Sequence, residues 1–361
     1  MKIYKINTIK IAGIMALIFL LLGDSAGAAT LKVDKSGGSN YTKIQDAINN
    51  ASNWDTILVN SGTYYENVNV TKRLILRGVD TGEGKPIVDA SGNGSAITLS
   101  AGWSTLEGFT AINSGSSPNA IQAYAGIYVN SDGNIIRNNN VSNSSYGIFL
   151  ISSNNNTLSS NIASSNYYVL TDKKGFKTFG GDGIILIMSN YNTLRGNTAN
   201  SNHIRGIGLE SSSNNMLTGN NASNNYYGIS LKYSGNNTLD GDIVLNNSIG
   251  IYLTYSGNNT LRSNTANSNK GYGIGLSDSD NNMLNGNTAN SNIYTGISLV
   301  FWLWMKFSIP LAFIVVMLIY ILMLAARYVD ARVLESKNIY RLLHENIHSA
   351  RDKPTYAGKV T

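Results

Sequence analysis

From residue 194 onward the chain repeats itself every 22 or 23 residues. Leu194, Leu217, Leu239, Leu261 and Leu284 fall in one column, and Ala199, Ala222, Val244, Ala266 and Ala289 in a second. Ile207, Ile229, Ile251, Ile274 and Ile297 make a third, and Leu209, Leu231, Leu253, Leu276 and Leu299 a fourth. Earlier copies are visible in Gly126-Ile127-Tyr128-Val129 and in Gly147-Ile148-Phe149-Leu150 with Leu158 and Ala163. A fixed period of this size means a solenoid, because a single copy cannot bury its own apolar face and must stack on the next.

Spacing inside one copy selects the kind of solenoid. Gly-Ile-x-Leu puts Ile and Leu on one side of a short strand, the next Leu arrives eight residues later, and no helical periodicity intervenes. Gly, Asn and Ser recur between strands, where turns need positive φ or side-chain to backbone hydrogen bonds. Each copy is therefore two or three short strands, and stacking them gives a parallel β-helix rising ~4.8 Å per coil. Asn215, Asn237, Asn259 and Asn282 fall in register and are expected to form an amide ladder between coils. A leucine-rich repeat shares the period, but helix-forming residues are too sparse for it. Ahead of the repeats, "NYTKIQDAINNASNWDTILVNSGTYYENV" reads as a short amphipathic helix with Ile44, Ala47 and Ile48 on one face, then a strand from Thr56 to Val59. Such a helix would cap the open apolar end of the solenoid.

The two ends carry targeting signals. Lys2, Lys5 and Lys10, the apolar run Ile11 to Leu22 and Ala26-Gly27-Ala28 make a secretory signal peptide. Phe307 to Ala326 is 20 residues without a charge, long enough to span a bilayer. Trp302, Trp304 and Lys306 precede it as an interfacial anchor, and Arg327, Arg332, Lys337 and Arg341 follow as a cytoplasmic basic flank. The chain thus divides into a signal peptide (1–28), a cap helix with the first coils (29–105), β-helix repeats (106–299) with an inserted loop at about 167–182, a transmembrane helix with its flank (300–326) and a basic tail (327–361). The expected location is the cell membrane, with the repeats outside and the tail in the cytoplasm.

The formal net charge of +6 suggests nucleic acid at first sight. Between residues 29 and 299, however, 16 Lys and Arg balance 16 Asp and Glu, so the basicity belongs to the two ends and nucleic acid is not an expected partner. The chain has no cysteine, which removes disulfides and thiolate ligands.

The run "YTKIQDAINNASNWDTILVNSGTYYENV", followed by Asn-Asn-x-Leu and Gly-Ile-x-Leu coils, resembles the pectin-lyase-like right-handed β-helix proteins with NosD-type repeats. Many of these are surface proteins of methanogenic archaea. The resemblance covers roughly residues 30 to 299. It implies an all-β, right-handed parallel β-helix, and for function it points three ways: surface proteins without known catalysis, carbohydrate-active enzymes, and factors for copper-site maturation.

Residues that could carry chemistry are few. Asp240, Asp242, Asp278 and Asp280 are the candidate catalytic acids for a polysaccharide lyase or hydrolase. Asp242 shares a column with Asn197, Asn220, Asn264 and Asn287, so it reads first as a variant of a turn ladder. Copper would need converging ligands, and the coils offer only His203, Met188, Met216 and Met283, so no cofactor is expected. His344, Glu345 and His348 match H-E-x-x-H, but without a downstream third ligand they read as part of an amphipathic tail. For carbohydrate, Tyr233 and Tyr255 share one column, Tyr252 projects from Ile-x-Leu, and Lys232 and Glu210 lie beside them. The inserted loop adds Lys173, Lys174, Phe176, Lys177 and Phe179, a basic-aromatic surface for acidic glycans or a protein partner. Sequons at Asn69, Asn93, Asn140, Asn155, Asn236 and Asn258 allow glycosylation. The sequence therefore leads to a membrane-anchored surface β-helix that binds or organises envelope carbohydrate.

Overall fold

Each repeat closes into a three-sided coil. The computed structural model describes residues 28–116, 123–171 and 177–300. Sheet A has 11 strands, from Thr30–Val33 to Met283–Asn285, and sheet B has ten, from Val68–Val70 to Ile297–Val300. Sheet C has five strands, from Thr63–Tyr64 to Ile162–Ala163, and continues as single bridges through Thr198, Asn221, Ile243, Thr265 and Thr288. Successive coils pair in parallel and in register.

The four expected aliphatic columns line the interior. Leu194, Leu217, Leu239 and Leu261 face inward from sheet A, while Ile207, Ile229 and Ile251 with Leu209, Leu231 and Leu253 face inward from sheet B. Ala199, Ala222, Val244 and Ala266 close the third side, and all of these are fully buried. Every buried Leu or Ile contributes ~1.5–3 kcal/mol, so stability accrues coil by coil.

Asparagine holds the corners, in three ladders. The expected one runs from Asn134 through Asn156, Asn192, Asn215, Asn237 and Asn259, and each amide nitrogen donates to the next Oδ1. A second passes through Asn139, Asn161, Asn197, Asn220 and Asp242, and a third through Asn166, Asn202, Asn225, Asn247 and Asn269. Within a coil the ladder residues stand five apart, as in Asn215, Asn220 and Asn225. Ser153, Ser189, Ser212, Ser234 and Ser256 add a fourth ladder, in which each backbone N–H donates to the next Oγ. Polar atoms buried in this way are satisfied from coil to coil, apart from Asn166 Oδ1 and Asp242 Oδ2.

The expected cap helix, α1 (Ile44–Asn50), buries Ile44, Ala47 and Ile48. Its first turn is capped from a distance. Both Glu66 oxygens accept backbone N–H groups, from Ile44 at 2.9 Å and Gln45 at 3.0 Å, and so fasten the helix to the first coil.

No helix among the described residues is long and apolar enough to cross a membrane. The run 307–326, the motif residues His344, Glu345 and His348, and the signal segment up to residue 27 lie outside the described residues.

Candidate functional site

Alternation along each sheet-B strand sends one set of side chains to the core and the other outward. In the strands Arg205–Glu210 and Tyr227–Lys232, register sets Glu210 beside Lys232 and Arg205 beside Tyr227. Glu210 lies between two cations, with Oε2 3.7 Å from Arg205 Nη1 and Oε1 3.8 Å from Lys232 Nζ. Arg205 in turn holds the buried Asp182, whose Oδ1 accepts both its backbone N–H at 2.9 Å and its Nε at 3.2 Å. Burial pushes the Asp182 carboxyl up, and Arg205 works against that rise.

The strand ends in a turn that requires the left-handed region. Tyr233 (φ 51°) and Tyr255 (φ 48°) occupy it on neighbouring coils. Their rings stack at 5.3 Å between centroids and 8° from parallel, and remain 54% and 53% exposed. Lys232 Nζ lies 5.4 Å from the Tyr233 centroid. The same turn position carries Ser211 on the coil before and Asp278 on the coil after, both exposed and too short to cover the outer ring faces. Tyr252 sits one column inward, stacked on Tyr227 at 5.9 Å and lying over Gly275, where a Cβ would come within 2.8 Å of the ring. Glu210, Lys232, Tyr233, Tyr252 and Tyr255 therefore share one outer face of sheet B and its bordering turn.

Asp182, Arg205 and Tyr227 join that face without having been singled out from sequence. Each stands two residues before a core isoleucine (Ile184, Ile207, Ile229), and the 14-residue insertion ahead of Asp182 obscures that alignment. The insertion itself is an antiparallel hairpin, Tyr168–Thr171 with Lys177–Gly180, rather than an open loop. Tyr168 reaches back so that its hydroxyl lies 3.2 Å from that of Tyr146, whose pKa burial raises. Lys173, Lys174 and Phe176 lie outside the described residues, and only the backbone of Lys177 and Phe179 is described.

The four candidate acids do not gather. Asp240 pairs with Arg262 on the outer surface of sheet A, with Oδ1 3.0 Å from Nε. Asp242 is fully buried in the second ladder and takes the Asn220 N–H and Nδ2 on Oδ1, at 2.7 and 2.9 Å. Asp278 and Asp280 follow the sheet-B strand Ile274–Ser277. Met188, Met216 and Met283 are exposed on separate turns and strands, and His203 packs edge-on against Tyr167 at 4.9 Å. Among the described residues, no three His, Cys, Asp or Glu are grouped so as to hold a metal ion.

Solved structures with a similar course exist at low identity. The enzymatically active domain of tailspike protein 2 from bacteriophage CBA120 is 16% identical, with 73% of this chain and 43% of that one covered and a TM-score of 0.50. The Azotobacter vinelandii mannuronan C-5 epimerase AlgE4 A-module is 14% identical, over 76% and 98%, with a TM-score of 0.45. The periplasmic alginate epimerase AlgG is 16% identical, over 68% and 77%, with a TM-score of 0.38. At these identities the likeness speaks to fold alone. No curated protein matches the sequence. The sequence model described as the right handed beta helix region matches residues 91–231 and again 175–303, together more than half of the chain. By its repeats, its three-sided coil and this match, the chain belongs to the right-handed β-helix family.

Proposed function

We propose that this chain is an exported, membrane-anchored surface protein whose sheet-B face binds envelope carbohydrate. One observation carries the reading: two parallel, half-exposed tyrosine rings are held in a backbone region that bulky residues avoid. Left-handed conformation costs a residue with a Cβ ~1–2 kcal/mol, and strain retained at an exposed aromatic pair points to use rather than to packing. A pyranose ring can continue the stack on the outer face of Tyr255, while Lys232 over Tyr233 and Glu210 beside it offer a donor and an acceptor to hydroxyl groups. The uncharged run 307–326 and the signal segment support the external, tethered location, and mannose-type, galactose-type and uronate polymers are the panel to test. The full-length chain is expected to bind a subset of them saturably, and binding to none would refute the reading.

The enzymatic reading, a polysaccharide lyase or hydrolase, draws on Glu210, a partly exposed acid flanked by Arg205 and Lys232 beside the tyrosines. A bound polymer should then yield shorter products or unsaturated uronate ends on incubation. A polymer recovered at its original length restricts the site to binding.

A further inference from the structure

A second aromatic site stands on the first coils, at the turn that leads into sheet A. Trp54, Arg73 and Trp103 follow one another on successive coils: the Trp54 N–H donates to Arg73 O, and Arg73 Nε donates to Trp103 O at 3.2 Å. At ~4.8 Å per coil the backbones of Trp54 and Trp103 stand two coils, about 10 Å, apart along the axis. The Arg73 guanidinium carbon lies 3.3 Å from the Trp54 ring centroid and 5.7 Å from that of Trp103. These residues open onto a cleft of about 230 Å³, to which Thr105, Gly133 and Ile135 also contribute. Gly133 lets the Trp103 indole lie flat, since a Cβ there would come within 2.7 Å of the ring.

Two features separate this cluster from ordinary packing. First, the indoles are outside: Trp54 is 57% and Trp103 63% exposed. Second, both stand in the left-handed region, at φ 78° and 60°. The same turn position, immediately before the first-ladder asparagine, holds Gly133, Asn155, Tyr191, Asn214, Asn236, Asn258 and Asn281 on later coils, all at positive φ and asparagine on most of them. Asparagine tolerates that conformation and tryptophan does not, so stability alone would favour Asn at 54 and 103.

The charge is also available. Arg73 forms no ion pair among the described residues, and its terminal nitrogens are free of hydrogen bonds there. The neighbouring acids are engaged elsewhere: Asp55 accepts the Ala29 and Ser52 N–H groups, and Asp132 accepts that of Asn154. A guanidinium desolvated by indole on its faces, with an open edge, suits end-on pairing with a planar carboxylate. We propose that Trp54, Arg73 and Trp103 form a second saccharide site, specific for acidic sugars, with a uronate carboxylate on Arg73 and the pyranose rings against the indoles. This site is separate from the tyrosine face and stands or falls without it.

The test is calorimetric titration of the full-length chain with oligogalacturonate and oligoglucuronate, against a neutral galacto-oligosaccharide. Saturable binding of an acidic oligomer and none of the neutral one is expected. Arg73→Gln should weaken the acidic interaction by at least ~10-fold, the loss of one charge-assisted bidentate contact. Trp54→Asn/Trp103→Asn should abolish it while leaving the thermal midpoint unchanged or higher, because Asn is the residue most later coils place at this turn. Failure of both acidic oligomers to bind would overturn the proposal. So would binding that survives both sets of substitutions. Binding lost only in Tyr233→Asn/Tyr255→Asn would assign the ligand to the tyrosine face and likewise overturn a site at Arg73.

Discussion

Asp242→Asn is expected to stabilise the protein at pH 8 and to abolish most of its pH dependence between 5 and 8. In the second ladder each asparagine Nδ2 donates to the next Oδ1 and to a core Leu or Ile carbonyl one coil back, as Asn220 does to Asp242 and Leu194 and Asn264 does to Asn287 and Leu239. Asp242 has oxygens only, and its Oδ2 is buried with no partner. An ionised carboxylate there faces acceptors, whereas a protonated one can donate to them. Burial accordingly pushes the Asp242 pKa up to about 7, against 3.8 for a free carboxyl, outweighing the two Asn220 donors. With the folded pKa raised, the unfolded chain gives up its proton first as pH climbs. Stability is therefore full below about 4, falls through the window from 4 to 7, and remains lowered above it. A difference of this size corresponds to on the order of 4 kcal/mol. Thermal midpoints of wild type and variant across pH 5 to 8.5 give the comparison. Wild type should fall and Asp242→Asn should stay level, and parallel curves would show that the carboxyl is not sensed.

Asn237→Leu should cost about 3–5 kcal/mol, while Asn236→Gly next to it should cost under about 1 kcal/mol. Asn237 is buried; its Oδ1 accepts the Asn215 N–H at 2.8 Å and Nδ2 at 3.1 Å, and its own Nδ2 donates to Ser212 O and to Asn259 Oδ1, each at 3.1 Å. Leucine has comparable bulk and can satisfy none of these, so a backbone N–H on the preceding coil and a carbonyl behind it are left buried and unpaired. Asn236 is exposed at φ 57°, where glycine is at ease. Urea midpoints of the two variants should differ widely, and equal losses would mean that the ladder contributes no more than any surface asparagine.

That neighbouring pair also shows what could be read in advance. The aliphatic columns are legible because apolar residues are scarce between them, so each Leu, Ile and Ala marks an inward position. The asparagines are legible only through their register, since by residue type Asn236 and Asn237 look alike while one faces water and the other the wall. The first ladder emerges from the repeated Asn-Asn-x-Leu, and Asp242 reveals the second by interrupting it. The third, through Asn202, Asn225 and Asn247, lies among so many polar neighbours that only the spacing of five would have marked it. At the candidate site, Tyr233 and Tyr255 were visible as a column, but their left-handed backbone and mutual stacking were not, because neither follows from residue type. The Asp182–Arg205 pair was hidden by the insertion that precedes it. Trp54 and Trp103 precede the regular repeats, where coil length varies and no column can be drawn from sequence.

The tyrosine face is tested most directly by measuring glycan affinity and thermal midpoint together for the full-length chain and for Tyr233→Asn/Tyr255→Asn. Asparagine relieves left-handed strain of ~1 kcal/mol or more at each position, so the variant should melt at or above the wild-type temperature. Its affinity for the glycan that wild type binds should fall by at least ~10-fold, as expected on loss of an aromatic stacking surface. A variant that binds as wild type does would contradict a carbohydrate role for the stacked tyrosines, and one that unfolds would make them part of the wall instead.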